Sequence, residues 1–156
     1  METRIIRDKD EIYRFLSKTP DIQIYTIGDL DDFFWPHTVW YAIYDIGEIQ
    51  SLALLYTGMV PNTLLLFFDN DPYYPTELLK SIRKLLPEKV NVHLSPGLID
   101  VFGQENVLKN YGRNYRMILQ GNPEQIYDDY IRRLEMSDLD IISKLFEIAY
   151  PSNWFD

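Results

Sequence analysis

Two runs, Leu52 to Leu55 and Thr63 to Phe68, are almost wholly apolar over the length of a strand. A strand with one face in water alternates apolar and polar residues; one covered on both faces does not. These runs therefore call for a sheet with packed layers on both sides. The first belongs to a strand over 48–57, joined to another over 38–44 through Asp45-Ile46-Gly47, a hairpin turn. The second leads through Asp69-Asn70-Asp71-Pro72 into LLKSIRKLL, which puts Leu78, Leu79, Ile82, Leu85 and Leu86 on one helical face. Lys80, Arg83 and Lys84 lie opposite, and Pro87 ends the helix.

The remaining elements fall around this centre. A strand is expected over 3–7, and Asp8 three residues before Glu11 resembles a capping box opening a helix to about Ser17. Thr19-Pro20-Asp21 opens a second helix that Gly28 closes. DLDDFFWP (29–36) is a loop mixing acids with large aromatics. A strand over 90–94, a short helix over 97–102 and a strand over 111–120 complete a first domain, 1–121. The fold class is α/β (α+β), a mixed and mainly antiparallel central sheet flanked by helices. Gly121-Asn122-Pro123 opens a polar linker, 122–129. After it IRRLEMSDLDIISKLF loosely repeats the pattern of IIRDKDEIYRFL, so 130–156 reads as the first strand and helix of a second, truncated copy. Such a pair cannot form a core of its own. It either packs on the first domain or a partner, or begins a longer chain; the last is the favoured reading.

Composition narrows the function. Twelve Tyr, eight Phe and three Trp in 156 residues argue for a packed core rather than disorder. With 15 basic and 24 acidic residues the formal charge is −9, which disfavours nucleic acid as a partner. Cysteine is absent, so disulfides, thiolate metal sites and a cysteine nucleophile are excluded. The N-terminus lacks the apolar core of a signal peptide, and no run approaches the roughly 20 residues of a membrane span. A soluble cytoplasmic protein is the expectation.

The element order resembles the GNAT superfamily of acyl-CoA-dependent N-acetyltransferases. The stretches YTIGDLDDFFWPHTVWYAI, GEIQSLALLYTG and YPSNWFD are similar to a bacterial group with two GNAT-like halves in tandem. The resemblance implies transfer of an acetyl group from acetyl-CoA to an amine acceptor of unknown identity, with this chain as an N-terminal half. That half would be non-catalytic, structural or acceptor-side, and its partner in cis would be the C-terminal half. It also implies that acyl-CoA sits at the strand–loop–helix after the hairpin, on a loop of the form Arg/Gln-x-x-Gly-x-Gly/Ala. There the backbone amides and the helix dipole bind pyrophosphate. The loop here has no glycine, carries Asp69 and Asp71, and loses donors at Pro72 and Pro75. No catalytic or cofactor-binding residue is therefore expected in this chain, and acetyl-CoA belongs to the presumed full-length protein. A free-standing, non-catalytic binding module is the alternative.

Individual side chains add few candidates. Asp29, Asp31 and Asp32 read either as carboxylates for acid–base work or, preferably, as loop and cap residues. Asp69-Asn70-Asp71 lacks the glycine and distal glutamate of a calcium loop, and His37 and His93 lack ligand spacing, so no metal is expected. Phe33, Phe34, Trp35, Trp40 and Tyr41 line either a pocket or, preferably, a core or interface. On the GNAT resemblance, Tyr150, Asn153 and Trp154 are the candidate acceptor-side contacts. A homodimer through 130–156 is a further expectation.

Overall fold

A computed structural model of the chain describes residues 1–69, 71–115, 117 and 131–149. The chain divides into two units, 1–118 and 119–156. In the first, β1 (Glu2–Ile6) is followed by α1 (Lys9–Leu16), α2 (Pro20–Gly28), β2 (Thr38–Asp45), β3 (Glu48–Tyr56) and β4 (Asn62–Phe68). Helix α3 (Tyr73–Ile82) and strand β5 (Val90–His93) come next. The five strands form one sheet in the order β1-β2-β3-β4-β5. Pairing is antiparallel from β1 to β4, and β5 joins β4 in parallel after the α3 crossover. The expected meander of three strands is present in one sheet.

Both faces of that sheet are buried, as the unbroken apolar runs require. On one face Trp40, Ala42, Tyr44, Leu52, Leu54 and Phe67 pack against Ile12, Phe15 and Leu16 of α1 and against Leu30. On the other, Tyr41, Ile43, Ala53, Leu55 and Leu64 pack against Leu78, Leu79 and Ile82 of α3 and against Leu98. Alternation along β2 is therefore strict in space although invisible in polarity. Strand β3 has a break in its parity, since Ile49 and Leu52 share a face across an odd separation. The register explains it: Ile43 lies opposite Ser51 but Tyr44 opposite Ile49, so Gln50 is the extra residue of a β-bulge.

Local signals place the helices. Asp8 caps α1, its Oδ1 accepting the Glu11 N–H at 3.0 Å. The Glu11 carboxylate does not return the favour to the cap but accepts the Tyr44 hydroxyl at 2.9 Å, tying α1 to β2. Pro20 opens α2 at its first turn, and Gly28 is its last residue. Helix α3 begins at Tyr73, earlier than the leucine pattern alone indicates, with Pro72 at its cap. It tightens to a 3-10 turn over Arg83–Leu85. That change of pitch swings Leu85 out to solvent, contrary to its expected place on the buried face, whereas Leu86 still packs on the core. The expected helix near 97–102 is a 3-10 turn, Leu98–Val101.

Of the strand expected over 111–120, residues 111–115 form no strand, and most of the remainder lies outside the described residues. The linker 122–129 also lies outside them. In the second unit, residues 131–134 form no strand, and a 3-10 turn (Met136–Asp138) leads into α4 (Leu139–Ala149). The Asp138 carboxylate accepts from both terminal nitrogens of Arg132, at 2.6 and 2.7 Å, and from the Glu135 N–H at 2.8 Å. These donors, Arg132 first, hold the Asp138 carboxyl well below the usual carboxylate range. Among the described residues no helix is long and apolar enough to cross a membrane.

The β2–β3 hairpin turns on Ile46 and Gly47, both at positive φ (49° and 80°). That geometry suits Asn-Gly and costs a β-branched residue about 1 kcal/mol or more. Ile46 is fully in solvent, so its side chain returns little in burial. Ile46→Asn is expected to stabilise the unit by about 1 kcal/mol, raising the midpoint of thermal unfolding followed by circular dichroism.

Candidate functional site

The place where the strand–loop–helix frame would hold a phosphate is the junction of β4 and α3. A helix presents unpaired N–H groups in its first turn, and these are what an anion uses. In α3 that supply is reduced. Pro72 at the cap and Pro75 in the first turn have no N–H to give. The Tyr73 N–H donates to Asp71 Oδ1 at 2.9 Å, a side chain closing on the backbone two residues later. Thr76 N–H and Oγ1 both donate to the Pro72 carbonyl, at 3.3 and 2.6 Å. Asp71 therefore takes, from within the chain, the position a bound anion would take.

The other loop acid is engaged as well. Lys18, just past the end of α1, lies 3.5 Å from the Asp69 carboxylate and over the Phe15 ring. The Tyr74 hydroxyl donates to Asp45 Oδ2 at 2.9 Å, latching the start of α3 to the end of β2 and raising the phenol's pKa. Asn70 lies outside the described residues. With two carboxylates and two prolines in place of a run of free N–H groups, this junction does not fit a pyrophosphate. Beside it, α1 and the hairpin enclose a groove of about 220 Å³, lined by Glu11, Arg14, Phe15, Lys18, Gly47, Glu48 and Ile49. Its charges are mixed, and Glu11 and Lys18 are already committed to Tyr44 and Asp69.

The remaining candidates are dispersed. Asp32 forms an ion pair with Lys9 at 2.8 Å, and the Asp31 carbonyl accepts the Phe34 and Trp35 N–H groups. Asp29 stands alone: among the described residues its carboxylate has no hydrogen bond or ion pair, and burial pushes its pKa up to about 6. The aromatic cluster divides. Trp40 and Tyr41 are buried on opposite faces of the sheet, Phe34 and Trp35 are half-buried, and Phe33 stands in solvent. His37 and His93 are exposed, and no set of three metal-capable side chains occurs among the described residues. Tyr150, Asn153 and Trp154 lie outside the described residues. Sequence reasoning missed the isolation of Asp29, whose only signal was a carboxylate at a helix C-terminus, where the dipole disfavours it.

For Asp29 the sign is definite. The folded protein binds this proton more tightly than the unfolded chain, so the penalty is full above pH 6 and is relieved as the pH falls from 6 towards 3.8. A fully buried group would feel about 3 kcal/mol, and solvent screening at this half-exposed carboxylate leaves about 1 kcal/mol. Asp29→Asn is expected to raise stability by that amount at pH 7.5 and by almost nothing near pH 4, in paired urea titrations.

From β1 to β5 the order of elements and the mixed, mainly antiparallel sheet agree with the fold class expected from the sequence. No protein-family model matches the chain, and no curated protein matches it. Among solved structures it is similar to a ribosomal-protein-alanine N-acetyltransferase from Brucella melitensis biovar Abortus 2308. That match has 13% identity and a TM-score of 0.45, covering 76% of this chain and 100% of that one. It is also similar to a possible acetyltransferase from Clostridium difficile 630. There the identity is 14% and the TM-score 0.43, covering 78% of this chain and 97% of that one.

Proposed function

We propose that this chain is a non-catalytic GNAT-like half of an N-acetyltransferase, and that acetyl-CoA is bound by a second GNAT-like copy in cis. The observation that carries the reading is the head of α3, where Asp71 occupies the Tyr73 N–H and two prolines supply none. A like charge about 4 Å from a phosphate costs on the order of 1–4 kcal/mol. Micromolar affinity amounts to only about 8 kcal/mol, so two acids and lost donors remove most of it. The half keeps the fold and gives up the chemistry. Its role is then structural or on the acceptor side, with Tyr150, Asn153 and Trp154 as the acceptor-side residues.

The second unit supports the tandem arrangement. Helix α4 is amphipathic, with Ile142, Leu145 and Phe146 at the spacing of Ile12, Phe15 and Leu16 in α1. In α1 that stripe is buried against the sheet, and the shared spacing is what suggests a second copy of the same strand–helix pair.

Isothermal titration of residues 1–156 with acetyl-CoA is expected to show no binding at low micromolar concentrations. Asp69→Gly with Asp71→Gly is expected not to restore it fully, since Pro72 and Pro75 still lack N–H groups. A longer chain with a second copy that carries the glycine loop is expected to bind, with an affinity indifferent to changes at 69–72. Low-micromolar binding by 1–156 that disappears when this loop is altered would refute the reading.

A further inference from the structure

The two faces of helix α2 do not divide by polarity. Positions 23, 26 and 27 form its inward stripe, with Leu30 following after the helix, and two of these are polar: Gln23 is 8% exposed and Thr26 1%. The outward ridge runs through Asp21, Ile24, Tyr25 and Gly28, the spacing of one helical face. On it Ile24 is 66% exposed and Tyr25 83%. Consecutive backbone turns (Asp29 N–H to Tyr25, Asp31 to Gly28, Phe34 to Asp31) lead the chain from the end of α2 to Phe33, 78% exposed and edge-on to Phe34 at 4.9 Å. An amphipathic surface helix would have these polarities reversed.

The charge on this surface is one-sided. From 19 to 36 the chain has Asp21, Asp29, Asp31 and Asp32 and neither Lys nor Arg. Lys9 answers Asp32 from α1, but nothing among the described residues answers Asp29. A half-buried carboxylate at the negative end of a helix, with no cation near it, is an electrostatic conflict that an incoming cation would relieve.

We propose that the outward ridge of α2 and the turn after it, with Ile24, Tyr25 and Phe33 beside Asp21, Asp29 and Asp31, dock a cationic amphipathic helix of a partner protein. A helical ridge with this spacing packs into the groove of another helix. The apolar side chains supply the buried centre, and the aspartates select Lys or Arg at its margin. A second copy of this chain is a poor occupant, because it would bring the same aspartates face to face. An anionic membrane surface is repelled for the same reason. The surface is independent of the acetyl-CoA question, since it lies on α2 and not at the head of α3.

The test uses a fluorescent 18-residue Leu/Lys peptide with one apolar helical face, titrated into residues 1–156 and read by anisotropy. A peptide of identical composition, permuted to have no apolar face, serves as the control. The amphipathic peptide is expected to bind at least about tenfold more tightly than the permuted one. Amide chemical-shift changes should centre on 21–33, and binding should weaken as salt rises. Ile24→Ser with Tyr25→Ser is expected to weaken binding about tenfold. Asp29→Asn should weaken it several-fold, and Glu88→Gln, an equal loss of charge elsewhere, should leave it unchanged. Equal binding of the two peptides, shifts centred on another surface, or indifference to either α2 variant would overturn the proposal.

Discussion

The burial of β2, β3 and β4 on both faces is the constraint on which the rest of the first unit depends. A strand buried on one face tolerates a slip of two residues at modest cost, but one buried on both must match two helical layers at once. Trp40, Ala42 and Tyr44 answer α1, while Tyr41 and Ile43 answer α3. The bulge at Gln50 is what makes this compatible with a tight hairpin. It shifts the start of β3 by one place, so that Ile49 faces the same layer as Leu52 and the turn closes on Ile46-Gly47. The strained turn is thus held by the core beneath it.

The head of α3 inherits its position from this sheet. β4 runs beside β3 to Phe68, which lies opposite Ser51, and the loop leaves at that edge. Once the frame is set, three polar groups at the junction find internal partners: Asp71 with the Tyr73 N–H, Asp69 with Lys18, Tyr74 with Asp45. None of these bonds is strong alone, and at the half-exposed Lys18–Asp69 pair the contribution is well under about 1 kcal/mol. The first of them takes a donor that a helix N-terminus would offer an anion, and the other two fix the loop around it.

Much of this was legible in the sequence, because apolar runs, Asp8, Pro20 and Gly47 act locally. The hairpin, the meander, the capped α1 and the acids and prolines at the head of α3 follow from residues within a few positions of one another. Other features were not legible, for specific reasons. The bulge leaves no mark when both faces of a strand are apolar, since a shift of parity changes no polarity. Leu85 keeps the heptad-like spacing of its neighbours, and only the change to a 3-10 turn turns it outward. The Lys18–Asp69 pair joins residues 51 positions apart and needs the sheet to exist first. The separation of Phe33 from Trp40 and Tyr41 is of the same kind, because it depends on which side of the sheet each element meets.

Helix α2 shows the limit of pattern reading most directly. Its residues are apolar nearly all round, so no periodicity marks an inner or an outer face. Gly28 stops the helix, and the chain turns at once through Asp29 to Leu30, whose side chain joins the core. Leu30 and Ile27 pack on the core, and Gln23 and Thr26, on the Ile27 side of α2, face inward with them. The polarity of those positions has no say in the matter. The core under α1 and α2 thus sets the rotation of α2, and the consequence is an outward Ile24 and Tyr25 and an uncompensated Asp29. A fold that keeps such a helix either tolerates the exposed surface and the isolated charge, or uses both; only the second gives the aspartates and the aromatics a common reason to be there.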